Sequence, residues 1–294
     1  KIHNLAFFFF FFFEICIFMN HLSLNCKGKL LSVEQPIVMA ILNGTPDSFY
    51  DGGIPKTESE ILKKVEKFIH EGATIIDIGA ASTRAQACEV SIDEELKRAL
   101  PIIESIQAHF PDVILSIDTY NSKVANEAVQ AGVSIINDIS GGTHDVQIFQ
   151  IAKKYDCPII LMHHLGNMQT MHQQTHYDSI LTDIFKFFVQ QIHIAEKIGI
   201  KDVLIDVGFG FSKTIEQNYT LLKNLSFFMQ LNKPILVGLS RKSMLYKLLN
   251  TAPEHALNAT SIVNTIALQH GASILRVHDV KEAMECVEIY QQLT

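Results

Sequence analysis

Two carboxylates, an amide and an ammonium stand just beyond four apolar runs of this chain. Asp118 follows residues 113–117, Asn137 follows 134–136, Asp206 follows 203–205, and Lys242 lies just past 235–239. A polar group at the end of a buried run is held close to the core and is desolvated. Such a set of donors and acceptors suits a flat polar heterocycle. A carboxylate accepts from two adjacent N–H groups at once, as the edge of a 2-amino-4-oxo-pyrimidine presents them. Asp118 is equally suited to bind a metal or to act as a general base, and the four could instead pair among themselves.

A second set is cationic. Ser82, Thr83 and Arg84 follow residues 74–78, and Arg276 and His278 follow 274–275. Hydroxyls beside a guanidinium suit phosphate oxygens. Alternation along a strand puts Arg276 and His278 on one face. Buried there, they need an anion, either a ligand or an internal partner such as Asp279 or another carboxylate. Asn43 opens a turn-rich loop, 43–53, with Thr45-Pro46-Asp47-Ser48 as turn chemistry and Gly52-Gly53 as a permissive end. Residues 206–214 are glycine-rich without P-loop spacing, so backbone passes close to a ligand there and Phe211 can stack on it. His163, His164, His172 and His176 match no metal-ligand spacing, so the reading assigns them no metal.

Eight apolar runs must position these groups: 37–42, 74–78, 113–117, 134–136, 159–162, 203–205, 235–239 and 274–275. Most are near-continuous and β-branched, as parallel strands buried on both faces are. Helical periodicity fills the gaps, over 58–70, 93–110, 122–130, 146–155, 179–198, 215–229, 258–270 and 280–292. Eight strand–helix units predict a single α/β domain, a (β/α)8 TIM barrel, with the active site at the strand C-terminal face. The chain's 294 residues fit one such domain, and 48% hydrophobic content allows a large core. A net charge of −7 argues against nucleic acid as a partner. Five cysteines without a CxxC pair suggest neither a disulfide framework nor a zinc site, and point to the cytoplasm. Residues 5–19, which include seven consecutive phenylalanines at 7–13, are too short to span a bilayer and are interrupted by Glu14, so no membrane association is expected. Residues 1–18 are read as upstream translation before a start at Met19 or as a disordered segment, and 19–294 as the barrel domain.

These blocks, in this order, resemble the dihydropteroate synthases, the sulfonamide targets of folate biosynthesis. The likeness rests on 43–53, 77–84, Ser116-Ile117-Asp118-Thr119, Asn137-Asp138-Ile139, Leu161-Met162-His163, 206–214 with Glu216-Gln217-Asn218-Tyr219, 238–243 and 276–280. It implies a transferase that joins 4-aminobenzoate to 6-hydroxymethyl-7,8-dihydropterin pyrophosphate, giving 7,8-dihydropteroate and pyrophosphate. Asp118, Asn137, Asp206 and Lys242 would hold the pterin, with Met162 and Phe211 lining its slot. Asp118, Asp206 and Lys242 would act at the reacting centre. Asn43, Thr83, Arg84, Arg276 and His278 would take the pyrophosphate, with Mg²⁺ reached through Asn43. Ser243 would take the aminobenzoate carboxylate. A homodimer is expected. The chain departs from the common pattern at Ala85-Gln86, Val207, Gly44 and 163–168, none of them a residue assigned to chemistry. Ser82-Thr83-Arg84 and Arg276-Val277-His278 favour a pyrophosphate substrate over that of the corrinoid-type pterin-binding methyltransferases.

Overall fold

A computed structural model describes residues 23–43, 50–51, 54–55, 57–80, 90–167, 170 and 174–293. The barrel is closed and all parallel. Its strands are β3 (Ile37–Asn43), β6 (Ile75–Gly79), β7 (Ile114–Asp118), β8 (Ile135–Asp138), β9 (Ile159–Met162), β10 (Val203–Asp206), β11 (Ile235–Val237) and β12 (Ile274–Val277), and β12 pairs back onto β3. The helices alternate with them: α1 (Glu58–His70), α2 (Ile92–His109), α3 (Ser122–Ala131), α4 (Ile148–Tyr155), α5 (Ile180–Ile198), α6 (Ile215–Lys223), α7 (Ser243–Tyr246), α8 (Leu257–Gln269) and α9 (Val280–Gln291). Tyr50–Asp51 (β4) and Ile54–Pro55 (β5) pair as a short antiparallel ribbon. The (β/α)8 expectation therefore holds strand for strand.

Strand alternation builds the site. Outward side chains such as Ile76, Ile78, Leu115 and Ile117 join the core beneath the helices. Met39, Ile75, Ile135, Ile160, Leu204, Leu236 and Ile274 form an apolar layer inside the barrel. Two residues further along, the inward position is polar on five of the eight strands, at Asp77, Ser116, Asn137, Asp206 and Arg276. The barrel is thus dry at its N-terminal end and charged towards its mouth.

A hairpin closes the dry end. β1 (Ser23–Cys26) and β2 (Lys29–Ser32) are joined by Lys27 and Gly28, with φ of 54° and 88°. Two positive φ values match the right-handed twist of paired strands. Leu24, Cys26, Leu31 and Val33 pack on the inner apolar layer. Asn25 fixes the hairpin, its N–H donating to Asp202 Oδ2 at 2.7 Å and its Nδ2 to Asp156 Oδ2 at 3.0 Å.

Two helix boundaries differ by more than one residue from the sequence reading. The helix expected over 215–229 ends at Lys223 and continues as a 3₁₀ segment, Leu225–Leu231. Asn224 Nδ2 donates to the Thr220 carbonyl at 2.7 Å and competes with the α-helical ladder. The helix expected from 146 starts at Ile148, because Asp145 first closes a turn by accepting from Gln147 N–H at 3.0 Å. Residues 1–22, and with them the boundary expected at Met19, lie outside the described residues. No helix of the described residues is long and apolar enough to cross a membrane.

Candidate active site

Arg276 organises the mouth. Its Nε donates to Asp77 Oδ2 at 2.7 Å and its Nη2 to Asp118 Oδ2 at 2.6 Å. Asn137 Nδ2 donates to the same Asp77 oxygen at 3.1 Å. Asp77 is fully buried on β6, two residues below the barrel rim. It was not singled out from the sequence, where it interrupts an apolar run rather than ending one. The alternative of an internal carboxylate partner for Arg276 is therefore the one realised. Asp279 is not that partner. It takes a forked pair from Arg241, at 2.9 Å on each oxygen. His278 stands exposed beside Arg276, and its N–H donates to Ser240 Oγ at 3.3 Å. Protein packed around its inner side, with Arg276 adding its charge, pushes the His278 pKa down to about 4.

Asp206 ends β10 and is buried. Its Oδ1 accepts from Gly208 N–H at 2.8 Å. Burial raises its pKa, while that N–H and the charges of Lys242, Arg276 and Lys213 pull it down. Burial likewise raises the Asp118 pKa against the pull of Arg276. Lys242 lies 4.2 Å from the centre of the Phe211 ring, a cation–π contact, and burial lowers its pKa to about 8 against the pull of Asp206. Three carboxylates (Asp77, Asp118, Asp206) thus face three cations (Arg276, Lys242, Lys213) in one desolvated cluster.

One wall is apolar. Tyr120, Ile139, Met162 and Phe211 form a buried cluster of their own, and the Tyr120 ring meets His144 edge-on at 4.7 Å. Met162 and Phe211, the two apolar residues marked in the sequence, both belong to this cluster. Tyr120 and Ile139 were missed, although each lies two residues past a polar residue already marked, Asp118 and Asn137. A flat ring fits between such a wall and a row of charged acceptors.

The loop 207–214 that carries Phe211 is braced from several sides. Gly208, at φ +71°, lets the chain pass so close to the His163 carbonyl that any Cβ would collide with it. Ser212 Oγ accepts from Leu165 N–H at 2.9 Å, and Tyr177 Oη donates to the Ser212 carbonyl at 3.0 Å. Thr214 and Gln217 close a capping box at the start of α6. His163 is buried and held by protein groups, and His176 lies on the surface beside Asp178.

Ser243 begins α7, as expected, but α7 is only one turn, so its dipole is small. Lys242 is its N-cap residue. Arg241, left-handed at φ 54°, ties this turn to the Pro253 and Glu254 carbonyls at 3.3 and 2.8 Å. Asn43 Oδ1 reaches the rim near Gly79, where Asp118 approaches from the other side. Thr83 and Arg84 lie outside the described residues, as does Asp47. Among the described residues, no group of three His, Cys, Asp or Glu side chains is arranged to hold a metal ion.

A closed (β/α)8 barrel with such a charged cluster at its mouth has counterparts among known enzymes. The profile of the pterin binding enzyme family matches residues 39–278. The dihydropteroate synthase of Escherichia coli strain K12 is 41% identical over 272 residues, 92% of this chain and 96% of that one. The Yersinia pestis dihydropteroate synthase, solved with a sulfonamide drug, superposes with a TM-score of 0.87 at 40% identity, over 92% of this chain and 99% of that one. The Xanthomonas albilineans dihydropteroate synthase, solved with 4-aminobenzoic acid, gives 0.86 at 35% identity, over 93% and 98%. The chain belongs to the pterin-binding enzyme family. Within that family it groups with the dihydropteroate synthases, transferases of folate biosynthesis.

Proposed function

We propose that the pocket at the barrel mouth binds 6-hydroxymethyl-7,8-dihydropterin pyrophosphate and transfers its pterinylmethyl group to the amine of 4-aminobenzoate. The observation that carries this reading is the row of buried Asp206 and part-buried Asp118, Lys242 and Arg276 beside the apolar wall of Met162 and Phe211. Asp206 is buried, and its Oδ2 is left to accept the adjacent N–H groups of the pyrimidine edge. Asn137 turns its amide oxygen to the same ligand, since its NH₂ is engaged by Asp77.

The C–O bond to pyrophosphate breaks, and the positive charge left on the exocyclic carbon spreads over the dihydropterin. Asp118 and Asp206 stabilise that charge, and low local dielectric strengthens the effect. The aromatic amine then attacks the carbon, and the resulting ammonium gives up one proton to solvent. Arg276 and His278, with Thr83 and Arg84, receive the departing pyrophosphate, and Ser243 takes the aminobenzoate carboxylate. Mg²⁺ binds with few protein ligands and several from water and phosphate. A single oxygen at the rim, Asn43 Oδ1, fits that habit, and the bound ion would neutralise the leaving group.

Leu248 and Leu249, each 56% exposed, and Ile262, 53% exposed, support self-association as a homodimer. Three described cysteines, Cys26, Cys157 and Cys286, are buried free thiols, which supports a reducing cytoplasmic setting. The experiment is product identification. The full chain, given both substrates and Mg²⁺, forms dihydropteroate, and a sulfonamide competes with 4-aminobenzoate. Transfer of a methyl group to a corrinoid instead would assign the pocket to the other branch of pterin chemistry. Pterin binding without turnover would make the chain a binding protein.

A further inference from the structure

Lys213 lies on the loop after β10, and its ammonium is buried. Its Nζ donates to the carbonyls of Phe211 at 2.9 Å, Gly208 at 3.1 Å and His163 at 3.3 Å. His163 Nδ1 lies 3.2 Å away. An ammonium has three N–H donors, so these four groups share them, and Nδ1 faces the charged Lys213 as an acceptor. Two of the carbonyls belong to the loop that presents Phe211, and the third belongs to His163, the residue just after β9. One point charge therefore gathers the loop against the neighbouring strand.

We infer that Lys213 is a positioning residue for the transfer: it clamps the 207–214 loop to the end of β9 and thereby fixes Phe211 and Asp206 at the pterin slot. This deepens the reading of the pocket given above and rests on it. Three further observations support it. Gly208 passes so near His163 that the loop's seat leaves no slack. Phe211, whose own carbonyl is clamped, carries the ring over which Lys242 lies at 4.2 Å. Burial lowers the Lys213 pKa to about 7 against the pull of Asp206, so Lys213 carries its charge in the acid part of the range, where that charge helps to lower the Asp206 pKa against burial. Lys213 touches no reacting atom and acts through these two residues.

The clamp has a consequence for pH that a purely structural lysine would lack. Asp206 accepts from both N–H groups of the pterin edge, with its charge, only when ionised, so pterin binding weakens as pH falls through the Asp206 pKa. Removing the Lys213 charge raises that pKa, and the acid limb of binding moves to higher pH. The groups facing Lys213 and Asp206 are His163 just after β9, Lys242 from the loop after β11, and Arg276 from β12. Burial and Lys213 hold the His163 pKa down at about 2, so it does not titrate in the window used.

The test compares the full chain with Lys213→Met and Lys213→Arg. It reads affinity for 6-hydroxymethylpterin between pH 5 and 8, KM for 4-aminobenzoate, and the thermal transition. Lys213→Met should keep a cooperative transition, lose pterin affinity by about tenfold as for a lost charge-assisted bond, and show the acid limb displaced upwards. Lys213→Arg should keep the acid limb near its native position while still weakening pterin and 4-aminobenzoate binding through altered clamp geometry. A folded Lys213→Met protein with native pterin affinity and an unmoved acid limb would overturn the inference. Where the methionine variant does not fold, Lys213→Gln set against Lys213→Arg makes the same comparison, because glutamine keeps donors and loses the charge. If the unmutated chain itself binds no pterin, the reading of the pocket fails instead of the clamp.

Discussion

Replacing Arg276 with methionine should destabilise the fold by an amount that depends on pH. Arg276 is hydrogen-bonded to both Asp77, fully buried, and Asp118, 13% exposed in its side chain. Methionine fills much of the same volume and supplies no charge. Removing one partner of a buried pair costs about 3–5 kcal/mol because the other charge is stranded. Arg276 keeps 19% of its side chain in contact with solvent, which places the expected loss near the lower end, about 3 kcal/mol. For a domain of this size that is a fall in Tm of roughly 6–12 °C. The pH dependence follows from Asp118. Burial already raises its folded pKa, and Arg276 opposes that rise. Without Arg276 the folded pKa climbs further, so the folded state holds its proton more tightly than the unfolded chain does. A raised carboxylate penalises the folded state as pH climbs above its unfolded pKa and through its folded pKa. The Tm deficit of Arg276→Met should thus be larger at pH 8 than at pH 5. Differential scanning calorimetry at the two pH values reads it. An equal deficit at both, or none, would refute the argument that Arg276 compensates a buried carboxylate.

Three further outcomes follow from the same geometry. Asp206→Asn puts an amide donor against the donor edge of the pterin and removes a charge-assisted bond. Pterin affinity measured by calorimetry should fall by about ten- to a hundredfold, and 4-aminobenzoate affinity much less. Gly208→Ala forces a Cβ towards the His163 carbonyl at a positive φ. It should lower stability by roughly 1–2 kcal/mol or more and weaken pterin binding in step, whereas native affinity would mean the loop has room to move. Leu24→Ala opens a cavity at the closed end of the barrel, far from the mouth. Denaturant unfolding should show a loss of about 2–4 kcal/mol with kcat/KM unchanged, and a change in kcat/KM at full folding would link the two ends of the barrel.

Much of this architecture is written in local pattern. Strand period two and the apolar runs are enough to place eight strands and to send Asp118, Asn137, Asp206, Arg276 and His278 towards one end. What local pattern omits is pairing across the barrel. Arg276 meets Asp77 and Asp118 across 199 and 158 residues of chain, and nothing in either neighbourhood says so. Asp77 sits within a run of isoleucines instead of at its end, so a search for polar run-ends passes over it. Lys213 is hidden for another reason. Its acceptors are backbone carbonyls, which every residue has, and in the sequence it reads as one member of a Ser-Lys-Thr start to a helix. The Lys27-Gly28 hairpin is legible only as a turn, because the barrel end it covers exists only once the strands have closed.

The central claim is that the barrel mouth joins two substrates with loss of pyrophosphate. Pyrophosphate release by the full chain, followed with and without 4-aminobenzoate and repeated in Asp206→Asn, tests it most directly. The account predicts release that depends on 4-aminobenzoate, matches dihydropteroate formed one for one, and falls sharply in the variant. Release at the same rate without the amine, or an undiminished rate in Asp206→Asn, would contradict it.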